Sequence, residues 1–424
     1  MLFPSFAWRR VASGLAVALA GAVAFAAHAA EPLTLAAAVR QGVAQAPMLT
    51  AHRARIDAAR EEAARAGRLP DPSLTFGLAN YPVTAPGAFS LRSGGMTMRT
   101  IGVRQVIPSQ AARMAERDLA DAEVGAATAE HTATTQALQE QIADAWIGVW
   151  AVEQQRDLLQ ALRDEAALAV QVTDARLRGG AGNAVDALAA RSEVALLDNR
   201  QDATQADLAA ARASLERWVG PGAAERLAAP PDFSQLPVSP GRLEHDLDEQ
   251  APMQVWETRE QVAQAALDQA RAAKHPDWSV SASYGKRAPG LSDMVMLEVG
   301  VSLPLFTRNR QDRGISAKQA QWDAVQADHE DARRAQREAV ARNLAAWQGW
   351  GRRIGRYRDT LLPLARDRAS IALAAYRGGG ALQPWLDARR DEIDVRLQYA
   401  DALVSRARLW AALAYLLPTA EAMP

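Results

Sequence analysis

The chain has 424 residues, room for one large domain or two ordinary ones, and a formal net charge of −1. That near-neutral balance leaves no electrostatic footprint for nucleic acid. Cysteine is absent, which excludes disulfide scaffolds, zinc–cysteine sites and thiol catalysis, and with them the expectation of a lipidated N-terminal cysteine.

Residues 1–30 read as an export signal: Arg9 and Arg10 lead an apolar, Ala-rich core from Val11 to Ala27, and Ala27-His28-Ala29 suits a signal peptidase, with cleavage expected after Ala29 or Ala30. Beyond residue 30 no apolar run approaches the roughly 20 residues of a spanning helix. If the chain crosses a membrane, it does so as β-strands.

The mature chain reads as two halves, 31–228 and 241–418, joined by the Pro-rich stretch 229–240 and followed by a short tail, 419–424. Gln45-Ala46-Pro47-Met48 recurs as Gln250-Ala251-Pro252-Met253. Leu69-Pro70-Asp71 recurs as His275-Pro276-Asp277, and Trp146 and Trp150 are echoed by Trp347 and Trp350. Each half begins with a helix, expected over Leu33–Gly67 and Leu243–Lys274. Two strand-like runs follow. Next come long helical patterns, expected to run unbroken for about 70 residues over Ser109–Arg178 and Thr307–Arg377, which is about 100 Å each. Glycine turns and final helices, Val185–Trp218 and Pro384–Leu417, close each half. Apolar steps of three and four (Leu138, Ile142, Trp146, Val149) demand a neighbour of matching length. The first and last helices of each half, laid end to end, have that length.

The strand-like runs alternate with period two. In Met294–Leu303, Val295, Leu297, Val299, Val301 and Leu303 share one face; Met294, Met296, Glu298, Gly300 and Ser302 share the other. Leu74, Phe76 and Leu78, Ile101 and Val103, and Trp278, Val280, Ala282 and Tyr284 alternate likewise. Met96 and Met98 are expected on one face with Thr100 and Arg104. Such strands fit an outer-membrane barrel or a small sheet covered by helices. Four strands cannot close a barrel, and an open edge cannot face lipid, so a membrane barrel requires several copies. Two copies give eight strands and a filled lumen; three give twelve and room for a conduit.

The ordered set, twice over, resembles the TolC-type outer-membrane efflux proteins. The residues that carry it are Leu69-Pro70-Asp71-Pro72 before the first strand, the strand ends Gln105–Pro108 and Ser302–Phe306, and the turns Leu177–Gly180 and Tyr376–Gly380, each followed by an Ala-Arg helix start. The resemblance implies a mainly helical protein, internally duplicated, in which each chain adds four strands to a trimeric twelve-stranded β-barrel and long helices to a periplasmic α-barrel. It implies a passive duct spanning outer-membrane lipid and extending into the periplasm. Cargo would come from an inner-membrane RND-type pump through a periplasmic adaptor, with no cofactor. Gly179, Gly180, Gly378, Gly379 and Gly380 would form the tip where the adaptor docks, and Asp387 would line the entrance. Two departures thin any acidic ring there: Pro384 stands where the family has a second Asp, and Ala189 stands opposite Asp387 in the first half.

Residues Asn80–Val103 resemble the heavy-metal branch, whose cargoes are copper, silver, cobalt, zinc or cadmium. The thioethers of Met96, Met98, Met294 and Met296 would suit the softest of these, or simply fill a strand face. The histidines show no ligand spacing, and no G-x-S-x-G, phosphate loop or H-E-x-x-H is present, so no enzyme is expected. Drug, dye or protein-secretion ducts share the architecture, and a periplasmic coiled-coil adaptor without a pore is the reading from another class.

Overall fold

The computed structural model describes residues 32–84, 86, 88–91 and 95–417; the export signal and the tail lie outside them. The elements run α1 (Leu35–Gln45), α2 (Pro47–Arg65), β1 (Ser73–Ala79), β2 (Met98–Ile107), α3 (Gln110–Arg178), α4 (Ala184–Val219), α5 (Pro240–His245), α6 (Ala251–Ala272), β3 (Trp278–Lys286), β4 (Met294–Val301), α7 (Gln311–Arg356), α8 (Leu362–Arg377) and α9 (Gln383–Ala414). None of the described helices is long and apolar enough to cross a membrane.

The four strands form one antiparallel sheet in the order β1-β2-β3-β4. The helices next to the sheet keep the same order, α2 on α3, α3 on α6, α6 on α7. Each strand therefore continues a helical column. The junction is held across the halves: Ser109 caps α3 through its hydroxyl, and its N–H donates to Asp277 Oδ1 at 2.8 Å beside the start of β3.

Lower down, α4 replaces α2 beside α3, and α9 packs on α3, α7 and α8. The expected partnership of first and last helices along the long one is thus realised. Between these levels lies the main core. Leu138, Ile142, Trp146 and Val149 of α3 meet Leu35 and Val39 of α1, Leu208 and Leu215 of α4, and Ala407 and Ala411 of α9. Trp146 is fully buried and donates from Nε1 to the Leu33 carbonyl at 2.9 Å. Trp347 repeats the device, donating to the Phe233 carbonyl at 3.1 Å. Each long helix thus pins the chain entering its own half.

Three sequence expectations change. The first helix is two, because Pro47 starts α2 at a bend on Ala46. The helix expected from Leu243 is likewise split: α5 and a 3₁₀ turn precede α6, whose first turn holds Pro252. The second long helix begins at Gln311 and breaks at Tyr357–Leu361, which form a π turn. Pro363 is the cause: it has no N–H for the Asp359 carbonyl, and a wider turn moves that carbonyl clear of its ring. The first-half helix α3 has no such residue and runs unbroken for 69. The 229–240 stretch is irregular up to α5 and buries Phe233 and Val238. Phe233 sits between Trp150 and Trp410, with ring centroids 5.7 and 5.3 Å away, so the join is a strap over the core.

Burial raises the Glu140 carboxyl on α3, and Asp144 one turn on raises it further. A raised carboxyl destabilises the fold at neutral pH, and the cost disappears once pH falls below its unfolded value. Glu140→Gln is therefore expected to raise the apparent Tm at neutral pH and to leave it unchanged near about pH 3, well below the unfolded value, where the carboxyl is neutral in both states. Thermal melts at the two pH values check this.

Candidate functional site

The sheet has two unlike faces. Direct partners across the ladder share a face, so Phe76, Ile101, Tyr284 and Val295 stand in one row, and Leu74, Val103, Ala282 and Leu297 in the next. These side chains are exposed; Leu297 is 79% accessible. Trp278 and Tyr284 flank this band at opposite ends of β3, about 20 Å apart at strand rise. An exposed apolar band between aromatics is the pattern that the outer surface of a membrane barrel carries. The opposite face carries Thr75, Thr100, Arg104, Ser279, Ser281, Ser283 and Glu298, a surface fit for water.

Met98, Met294 and Met296 fall on this polar face, as their alternation required. Met96 does not: β2 begins at Met98, and Met96 sits in the preceding turn. Pairing stops at Ala79–Met98 because Asn80 turns away at φ 54°. Leu303 likewise falls just past β4, which ends at Val301.

At the far end of the helices the two glycine turns are superposable in their bonding. Ala181 N donates to Arg176 O and Gly180 N to Leu177 O; Gly380 N donates to Ala375 O and Gly379 N to Tyr376 O. Both are Schellman caps, and each needs a left-handed residue: Gly180 has φ 72° and Gly379 φ 98°. Gly179 and Gly378 close the helices ahead of them at ordinary φ. Asn183 then caps α4 through its side chain, whereas Leu382 begins α9 with none and is buried instead.

The two tips are stacked together, which no local spacing signalled. The Arg176 guanidinium lies 4.5 Å over the Tyr376 ring, and that ring stacks on Trp385 at 5.8 Å. Above them Glu392, only 2% accessible, is held between Arg389 and Arg396, while Arg389 also meets Glu165 of α3. Arg390 reaches Glu193 of α4 at 2.9 Å. A groove of about 750 Å³ lies between α3 and α8 at this level, with Leu373, Leu386 and Ile393 in its lining. Asp387 is half exposed and is held by its own helix, accepting from Gln383 at 2.7 Å. Its first-half counterpart Ala189 packs on the Tyr376–Leu386 cluster.

Histidines do meet in the fold, though not as a metal centre. His52 and His131 rings lie 6.5 Å apart, and His329 bonds Glu260 at 2.7 Å. Among the described residues no group of three or more His, Asp or Glu could hold a metal ion.

The sequence profile of the outer membrane efflux proteins matches residues 38–221 and again 245–418. The chain belongs to the outer membrane efflux protein family. It is accordingly a non-enzymatic channel component of the outer membrane that extends into the periplasm. No curated protein matches it significantly in sequence. Among solved structures, this efflux protein is similar to a membrane protein from Pseudomonas aeruginosa (TM-score 0.77, 20% identity, 90% of each chain covered). It is similar also to CusC (TM-score 0.72, 17% identity, 90% of this chain and 92% of that one). A third is the MtrE outer membrane channel of Neisseria gonorrhoeae in its open state (TM-score 0.68, 17% identity, 90% and 88% covered). At these identities the likeness carries the fold.

Proposed function

We propose that this chain is one protomer of a homotrimeric exit duct for heavy-metal cations, fed by an inner-membrane RND-type pump through a periplasmic adaptor. The observation that carries the assembly is a pair of matching unpartnered edges. In the sheet, β1 and β4 each have one neighbour. At the tip, α4 and α8 pack on their own hairpin partners and leave apolar side chains exposed. Leu188 lies eight residues after Gly180, and Ile371 eight before Gly379, so they stand at one height, 64% and 70% accessible. Leu196 and Leu364, sixteen and fifteen residues from the same glycines, form a second level. Head-to-tail closure brings β4 against the next copy's β1 and α8 against its α4. Three copies give twelve strands, wide enough for a lumen.

The metal assignment rests on the resemblance of Asn80–Val103 to the heavy-metal branch. It is tested by deleting the protein and measuring growth against graded copper, silver, zinc, cobalt and cadmium beside a dye and a detergent. Sensitivity to metals alone supports it; sensitivity to dyes and detergents alone moves the duct to drug efflux.

The glycine turns, with Gly179, Gly180 and Gly378–Gly380 free of Cβ atoms, offer the adaptor a close approach, and Asp387 lines the entrance above them. Gly180→Val with Gly379→Val forces β-branched residues into left-handed backbone at about 1–2 kcal/mol each. The expected result is normal outer-membrane fractionation with lost resistance. Retained resistance removes the tip from adaptor docking.

A further inference from the structure

We infer that Met98, Met294 and Met296 form a soft-cation site on the polar face of the sheet, taking closed-shell monovalent ions such as Ag(I) or Cu(I). The inference rests on the reading of that face as the lumen. Three features support it.

The first is chemical. Apart from Ala79 and Val106 the rest of this face is hydroxyl, glycine and charge, and three thioethers stand at one end of it, none of them turned to the lipid face. The second is placement. Met294 pairs with Gly285, Met296 with Ser283, and Thr100 with Gly285, so Met98 lies one pair further toward the loops on the strand across from Met294. All three sit at the loop end of the sheet, away from the helices. The third is the gap between them. Gly285 stands between β2 and β4 and has no side chain. A Cβ there would lie 2.9 Å from Met98 Sδ, so the Met98 thioether occupies the space over Gly285, on the side toward Met294. Met98 is 5% accessible, while Met294 and Met296 remain open. Strands β2 and β4 are about 10 Å apart across β3, a span that two long, unbranched and flexible thioethers close.

Thioether sulfur selects Cu(I) and Ag(I) over Zn(II) or Co(II), which prefer imidazole and carboxylate. It carries no proton to displace, so binding is independent of pH, unlike a site of histidine or thiolate. An exposed site of neutral ligands exchanges its ion readily, which suits an exit.

The test is calorimetric titration of the purified, detergent-solubilised protein with silver nitrate in chloride-free buffer. The expected result is one Ag(I) per chain, equal affinity at mildly acidic and neutral pH, and no signal with Zn(II). The variant Met98→Leu/Met294→Leu/Met296→Leu is expected to lose the ion. Gly285→Ala, which displaces Met98, is expected to weaken binding about 10-fold or more. Wild-type protein that binds no Ag(I), or a triple variant that binds it undiminished, overturns the site. Bilayer conductance of the same samples separates the two readings. A pore that binds no Ag(I) removes the site alone, whereas Ag(I) binding without a pore keeps the site and overturns the duct.

Discussion

Replacing Trp146 with alanine is expected to destabilise the chain by about 3–5 kcal/mol, the range for truncating a buried aromatic. The indole is fully buried where α1, α3, α4 and α9 converge, so little relaxation can fill its volume. The Leu33 carbonyl also loses its indole donor and keeps only the Ala228 N–H. That carbonyl belongs to the segment paired with Leu227, and its loss loosens the start of α1 from the end of the first half. Trp146→Phe separates the two contributions, since it keeps most of the volume and removes only the donor. Urea midpoints of both variants check the ranking: alanine well below phenylalanine, phenylalanine below wild type. Equal midpoints for Trp146→Phe and wild type would show that the bond to Leu33 contributes nothing.

The second large effect concerns lipid. Leu297→Arg is expected to cost about 2–4 kcal/mol per chain in membrane insertion, the midplane value for arginine on a barrel's outer face. Leu297 sits at the centre of β4 on the apolar face. Its ladder partner Ala282 leaves it open to whatever surrounds the sheet. Ser281, one residue along β3 on the opposite face, is the control, and Ser281→Arg is expected to insert normally because water meets it there. Heat-resistant assembly on unboiled gels and outer-membrane yield report both. Loss in Leu297→Arg with retention in Ser281→Arg supports the face assignment; equal behaviour reverses it.

The sequence displayed what is periodic and local. The alternation in Met294–Val301 predicted both faces of β4 correctly, and the two glycine runs marked both Schellman turns, because a left-handed residue leaves a Gly in the sequence. Duplication gave the order of elements. What it did not display is contact between residues about 200 apart. The Arg176–Tyr376–Trp385 stack joins two hairpins whose periodicities are each complete without it. Phe233 sits in a Pro-rich stretch that reads as a linker, and only the aromatic cage of Trp150 and Trp410 makes it core. The break at Pro363 was visible in the residues themselves, yet apolar steps run through it. The π turn absorbs the proline without changing which face is buried. The fate of Met96 depended on where pairing ends, which Asn80 decides through backbone conformation.

The central claim is that these chains close head to tail into a ring through α4 and α8. Because the protein lacks cysteine, an introduced pair reports alone. Leu196→Cys/Leu364→Cys places one thiol on each edge at matching height, both exposed within a single chain. After oxidation in intact outer membranes, the account predicts covalent dimers and trimers on denaturing gels that collapse to monomer on reduction, with neither single variant going beyond a dimer. A band that stays monomeric, or runs fast through an internal cross-link, would contradict it.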